Sequence, residues 1–354
     1  MKVVIVGLPQ SGKSTLFSAV TGMVADPYAA PEIRQAVVKV PDARLAYLAS
    51  ICNPKKTVEA TIEFVDVPGC SPGDAKGRDE WKKLVPTVRQ AELLVVVVRD
   101  FENDSVPCYG DGLDPKRDFT TTWEEFIFAD LETVTTRVER LEKSLKKPTK
   151  THDAEKRELA LLMKCRDALE SESPLSTVIT SDEDRKGVAS FGFLTQKPIV
   201  CVGNVGDDQA GTATGIDVAH VEASIGLCAS IEAEIAMLDE SDREEFLADL
   251  GLKTPARDRL IQTCYTACGL ISFLTMGPDE VRAWPVKKNS TAVEAAAKIH
   301  TDIARGFIRA ETVGYDDLVA HTDHKGAKAA GKVRAEGRSY IVRDGDILNI
   351  LTSA

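Results

Sequence analysis

The chain has 354 residues, 43% apolar and 28% charged, with a formal net charge of −11. That length carries two or three domains with buried cores. The acidity excludes an indiscriminate nucleic-acid binder while leaving room for a local basic patch. No apolar run approaches the length of a membrane span. The eight cysteines (52, 70, 108, 165, 201, 228, 264 and 268) are scattered without a CxxC pair and are expected as reduced, mostly buried thiols. The chain opens on its first strand, so no secretion signal is expected ahead of it.

Lys2 to Val6 is a short β-branched run that reads as a buried strand, and Thr15 to Val20 reads as the start of a helix. Between them stands Gly7-Leu8-Pro9-Gln10-Ser11-Gly12-Lys13-Ser14, a complete GxxxxGK(S/T) phosphate loop in the strand–loop–helix context the motif requires. Its glycines let backbone N–H groups curl around phosphates, and the helix N-terminus adds its positive dipole end. Lys13 is expected on the β- and γ-phosphates as the catalytic cation, Ser14 on Mg²⁺, and Thr15 at the helix start beside them. The loop identifies a nucleoside-triphosphate site.

Ala25 to Arg34 is too irregular for an element. Glu59 to Asp66 alternates as a strand and ends in Asp66-Val67-Pro68-Gly69, a DxxG motif. Asp66 is placed to hold Mg²⁺ through water, and the Gly69 amide to sense the γ-phosphate. Leu93 to Val98 reads as a central parallel strand. From 123 to 145, Ile127, Leu131, Val134, Val138, Leu141 and Leu145 keep a heptad spacing. Ala154 to Glu170 follows with Leu159, Leu162, Cys165 and Leu169 on one face, so an antiparallel helical hairpin is expected within the sheet domain.

The strand pattern returns at Pro198 to Asn204, leading into Asn204-Val205-Gly206-Asp207, placed as the base-reading NKxD motif with valine in place of lysine. Asp207 stands where a guanine reader needs its carboxylate, and Cys228-Ala229-Ser230 where the last nucleotide loop passes the base. An acidic helix is expected over Ile231 to Leu250. Beyond Leu270 the texture becomes a small α+β module: strands at Leu270 to Thr275, Val281 to Val286, Tyr340 to Val342 and Ile347 to Leu351 around an alanine-rich helix near Ala292 to Arg305. Phe273 and Trp284 read as its core. His300 with Asp302 reads as capping or packing ahead of catalysis, and His321, Asp323 and His324 as surface ahead of a metal site.

These motifs together resemble the YchF / Obg-like ATPase family of translation-factor-related P-loop NTPases. The likeness runs through GLPQSGKSTLF, Val40-Pro41-Asp42-Ala43-Arg44-Leu45, Asp130-Leu131-Glu132-Thr133-Val134, Ile231-Glu232-Ala233-Glu234-Ile235, Phe273 to Trp284, Ile299-His300-Thr301-Asp302, Arg305 to Glu311 and Asp344-Gly345-Asp346. The resemblance implies an α/β P-loop G domain with a mostly parallel sheet (1–122 and 196–268), a coiled-coil insertion (123–195) and a C-terminal β-grasp TGS domain (269–354). It implies a slow ATPase or GTPase using Mg²⁺ with ATP or GTP. The expected partner is the ribosome or ribosomal RNA, and the expected protein is a cytoplasmic monomer engaging neither membrane nor DNA.

Three departures from the family pattern stand out. The switch threonine falls on Ala30, which has no side-chain oxygen. Cys70 follows the DxxG motif where glutamine orients water in many G proteins, though an apolar residue there is the family's own habit. Asp207 stands where the family has glutamate, so base choice stays open between ATP and GTP, with a lean to ATP or dual use. The alternative function is a degenerate adaptor that binds nucleotide with little hydrolysis. For RNA, Lys325, Lys328, Lys332, Arg334, Arg338 and Arg343 crowd 324–343 against Glu336 alone, and Lys328, Lys332 and Arg334 are the expected contacts.

Overall fold

The computed structural model describes residues 1–23, 32–146, 151–212, 214–249, 252 and 254–353. Ala30 lies outside the described residues. In chain order the elements are β1 (Lys2–Val6), α1 (Lys13–Thr21), β2 (Arg34–Lys39), α2 (Ala43–Cys52), β3 (Lys56–Val58), β4 (Thr61–Asp66), α3 (Ala75–Val88), β5 (Leu93–Asp100), α4 (Pro115–Ser144) and α5 (His152–Glu170). Next come α6 (Asp182–Val188), β6 (Ile199–Val205), β7 (Ala223–Leu227), α7 (Ala229–Met237), α8 (Glu240–Asp249), α9 (Ala256–Ala267), β8 (Leu270–Met276) and β9 (Glu280–Lys287). The chain ends with α10 (Ala292–Ile299), α11 (Thr301–Arg305), β10 (Phe307–Gly314), α12 (Tyr315–Ala320), α13 (His324–Ala329), β11 (Arg334–Glu336) and β12 (Asp346–Thr352).

The first sheet has the order β2-β4-β1-β5-β6-β7, with β4, β1, β5, β6 and β7 paired in parallel. Strands β5 and β6 are buried along almost their whole length, as the continuous apolar run of β5 requires of a strand covered on both faces. The register sets Ile5 beside Asp66, and Asn204 beside Leu227. The carboxyl ends of β1, β4, β6 and β7 therefore open on one edge, where an open α/β sheet binds its ligand.

Helix α4 begins at Pro115, not near 123. Asp114 caps it by accepting from the Arg117 amide at 3.0 Å, and Pro115 takes the first turn, where its missing N–H costs nothing. Thirty residues make a rod of about 45 Å. Bonds from Arg137 to Glu158 and from Ser144 to Glu155 show α5 running back along it. Val134, Val138, Leu141, Leu162, Cys165 and Leu169 bury into one core with Val96 and Ile199 of the sheet, whereas Leu145 is the half-buried cap residue beyond the helix. The hairpin and the sheet thus share a core.

The chain forms two compact units, 1–36 with 63–257 and 37–62 with 258–354. Sequence boundaries drew this differently, because 37–62 carry no strong texture of their own. In the structure β3 pairs in parallel with β9, and Arg44 bonds to Asp42 and to Asp344, both at 2.8 Å. The second sheet runs β11-β10-β12-β8-β9-β3, with antiparallel and parallel pairs mixed. Phe273 is fully buried beside the half-buried Trp284, whose ring stacks at 6.3 Å.

Three expected elements differ in detail, and one strand was not expected. The acidic helix is two helices, α7 and α8, parted at Leu238. The alanine-rich helix also breaks in two at His300, whose ring nitrogen accepts from the Asp302 amide at 3.2 Å, so the histidine caps. Tyr340 to Val342 is no strand; Ile341 only bridges Thr291. Strand β10, unassigned from sequence, is the partner that holds β11 and β12.

Candidate nucleotide site

The loop between β1 and α1 needs its glycines. Gly7 has φ of +147° and Gly12 +89°; a Cβ on Gly7 would run into the Val97 carbonyl, and one on Gly12 into the Asn204 amide. Gly12 also stands at the N-cap of α1 with no side chain to cap the helix, so the first amides of α1 keep their capacity for an anion.

Lys13 is 6% exposed and its ammonium donates to the Leu8 carbonyl at 2.6 Å. Burial pulls its pKa down to about 8, against the charge of Asp66. Gly69 lies against the loop so closely that a Cβ there would sit 2.6 Å from the Lys13 ammonium and 2.9 Å from the Pro9 nitrogen. The loop, Lys13 and the DxxG motif therefore meet at one point. Cys70 beside them is half-buried, and burial raises its thiol pKa, so it presents a neutral S–H.

Ser14 donates to Asp66 Oδ2 at 2.9 Å, and Arg34 Nη2 donates to the same oxygen at 2.7 Å. Among the described residues, Asp66 Oδ1 is buried with no hydrogen-bond partner. The hydroxyl and the carboxylate read from sequence as metal ligands are thus adjacent, with one oxygen uncommitted. Among the described residues no cluster of three or more His, Cys, Asp or Glu forms a metal site. His321 and His324 are partly exposed, and Asp323 caps α13.

At the other end Asn204 is a cross-link. Its amide nitrogen donates to the Ser11 carbonyl at 3.1 Å, and its oxygen accepts from the Ala229 amide at 2.9 Å. Asp207 Oδ1 accepts from Ser230 Oγ at 2.9 Å and from the Cys228 thiol at 3.1 Å. A cavity of about 810 Å³ lies here, lined by Gly12, Thr15, Phe101, Asn103, Asp207 and Ser230 among others. Val205, in the lysine position of the motif, is buried in β6.

The structure therefore gathers the phosphate loop, Asp66, Gly69, Asn204, Asp207 and the 228–230 loop at one sheet edge. Sequence reasoning missed Phe101 and Asn103, although they directly follow a buried strand at the ligand-binding end of the sheet. It also missed Arg34, for which no motif gave a signal. The basic stretch of 324–343 is less free than its composition implies. Lys332 pairs with Asp317 at 3.0 Å, and Arg334 pairs with Glu336 at 3.0 Å and donates to the Tyr340 hydroxyl at 3.1 Å. Lys325 and Lys328 stay exposed on α13.

A family model described as a 50S ribosome-binding GTPase matches residues 2–130, and a YchF GTPase C-terminal model, described as a protein of unknown function, matches residues 270–352. A protein named Ribosome-binding ATPase YchF from Bacillus subtilis (strain 168) is 41% identical over 98% of this chain and 97% of its own length. The protein of the same name from Escherichia coli O157:H7 is 40% identical over 98% of each. The solved Schizosaccharomyces pombe YchF GTPase superposes with a TM-score of 0.84 at 29% identity, covering 99% of this chain and 97% of that one. With the phosphate loop and DxxG motif meeting at Lys13 and Asn204 tying the base loop to them, the chain belongs to the YchF family of P-loop NTPases.

Proposed function

We propose that the chain is a slow, Mg²⁺-dependent nucleotide switch that hydrolyses ATP, accepts GTP at the same site, and works on the ribosome in the cytoplasm. The Asn204 cross-link carries this reading, because it makes the phosphate loop and the 228–230 loop one rigid cradle. The loop amides from Leu8 to Thr15 hold the phosphates, and Lys13 is the cation on the β- and γ-oxygens. Gly69 lets backbone approach the γ-phosphate. Ser14 and Asp66 fit Mg²⁺, since their oxygens adjoin and, among the described residues, Asp66 Oδ1 has no hydrogen-bond partner. Once bound with nucleotide, the metal neutralises charge across the β- and γ-phosphates.

At the base, Ser230 and Cys228 bind Asp207 Oδ1, which leaves Oδ2 to accept from a base amino group. Adenine offers its N6 amino group; guanine offers its N2 amino group together with its ring N1–H. The buried Val205 cannot lay a lysine stem over the base. The names of the relatives supply the ribosome and ATP. We read the hairpin of α4 and α5 as a coiled-coil arm and the second sheet as a TGS module that meets ribosomal RNA.

The test is competition between ATP and GTP in Mg²⁺, with Lys13→Ala as the blank, followed by turnover with and without ribosomes. ATP binding at least about tenfold tighter, 1.4 kcal/mol, supports the ATPase reading, and tighter GTP overturns it at the base. Ribosome-stimulated turnover excludes an adaptor that binds without hydrolysing.

Two further outcomes are expected. Unliganded Lys13 loses its proton as pH rises through about 8, while phosphate oxygens hold it charged. ATP affinity should then be flat below pH 8 and fall towards about tenfold per pH unit above it, with proton uptake on binding. Calorimetry in buffers of different ionisation enthalpy reads that uptake. In the C-terminal module, the triple change of Lys328, Lys332 and Arg334 to alanine should lower ribosome co-sedimentation and flatten its salt slope. Because Lys332 and Arg334 are ion-paired, Lys328→Ala alone should account for most of the change in slope.

A further inference from the structure

Asp66 Oδ2 receives two donors, and one of them is a permanent cation. Arg34 begins β2, and its Nη2 lies 2.7 Å from that oxygen. Its Cζ lies over the Phe17 ring of α1, 5.0 Å from the centroid. The group therefore has both an aromatic ring and a carboxylate as neighbours, two contacts that suit a guanidinium. Asp66 is buried and Arg34 four-fifths so, which leaves their attraction little screened. Neither the phosphate loop nor the DxxG motif calls for this arginine.

We propose that Arg34 is an internal counter-ion of Asp66 that competes with Mg²⁺ and thereby raises the Mg²⁺ concentration the site demands. The inference rests on the reading of Ser14 and Asp66 as the metal-holding pair. A guanidinium stays protonated across the whole working range of pH, so it cannot yield to a divalent cation by losing its charge. Mg²⁺ drawn to Asp66 must either displace the Nη2 contact or accept a positive neighbour a few ångströms away. Both routes weaken metal binding while leaving the phosphate cradle of Leu8 to Thr15 intact.

Arg34→Gln in the full chain tests this, with a fluorescent N-methylanthraniloyl-ADP as probe. Titrating Mg²⁺ gives the concentration at which nucleotide binding is half-maximally tightened, and Mn²⁺ spin resonance counts bound metal directly. The variant should need about tenfold less Mg²⁺, 1.4 kcal/mol, and should bind nucleotide unchanged in EDTA. Arg34→Met, which keeps an apolar stem on Phe17, repeats the test should the glutamine variant fail to fold. An unchanged or higher Mg²⁺ requirement overturns the proposal. Weaker binding in EDTA also overturns it, by placing Arg34 on the phosphates. Nucleotide binding by the unaltered chain with no response to Mg²⁺ would instead overturn the metal reading beneath it, and the proposal with it.

Discussion

Lys13→Met should lower kcat/KM for the hydrolysed nucleotide by roughly a thousandfold or more while leaving the unliganded fold at least as stable at pH 7. The ammonium is buried and, among the described residues, donates to the Leu8 carbonyl alone, so nothing else in the loop replaces its charge. Two charge-assisted bonds to phosphate oxygens, each worth about 1.5–3 kcal/mol, make about 3–6 kcal/mol, or two to four decades. Stability moves the other way. Burial holds the folded-state pKa at about 8, below its ordinary 10.5. The charged ammonium therefore penalises the fold in full below pH 8, by on the order of 3 kcal/mol, and the penalty fades as pH rises to 10.5. Methionine carries no such penalty, so the variant's melting temperature should match or exceed that of the parent at pH 7. The parent should gain on it between pH 8 and 10.5. Parallel loss of activity and of melting temperature at pH 7 would mean that Lys13 holds the loop together instead of serving the phosphates.

The site was legible where its chemistry lies in contiguous residues at strand ends. Gly7 to Ser14, Asp66 to Gly69 and Asn204 to Asp207 each sit in a short window behind an apolar run, and sheet register brings the windows together without further instruction. What the windows hid is pairing across long separations. Arg34 and Asp66 are 32 residues apart, and Asn204 reaches Ser11 across 193; no local pattern encodes either bond. The start of α4 was legible in principle, since Asp114-Pro115 is a cap and a first-turn proline. The heptad drew attention downstream because only the later turns have the strict spacing. Residues 37–62 joined the second unit through β3 and Arg44, a three-residue strand and one ion-paired side chain that sequence texture does not reveal. The basic stretch misled differently: composition counts charges, and the structure pairs several of them with Asp317 and Glu336.

Asp130→Ala should cost about 3–5 kcal/mol of folding stability, the range for breaking a buried ion pair on one side. The carboxylate is fully buried in α4 and takes four donors: Arg89 Nη1 at 2.9 Å, the Leu194 and Thr195 amides at 3.1 and 2.9 Å, and the Thr195 hydroxyl at 2.9 Å. It fastens the end of α3 and the return of the chain towards β6 to the arm helix. Alanine takes the counter-ion from Arg89, whose guanidinium keeps its bonds to the Ala129 and Phe191 carbonyls, and orphans two backbone N–H groups. The double variant Arg89→Met with Asp130→Leu separates the two contributions. If the ion pair were all that mattered, apolar replacement of both partners would restore stability, as it does for isolated buried pairs. Here the amides of Leu194 and Thr195 stay orphaned at about 1–3 kcal/mol each, so the double variant should recover only part of the loss in urea. Full recovery would reduce Asp130 to a counter-ion for Arg89. Partial recovery, judged against Arg89→Met alone, which already loses the bonds to Ala129 and Phe191, makes it the backbone acceptor that seats β6, the strand whose far end presents Asn204 to the nucleotide loop.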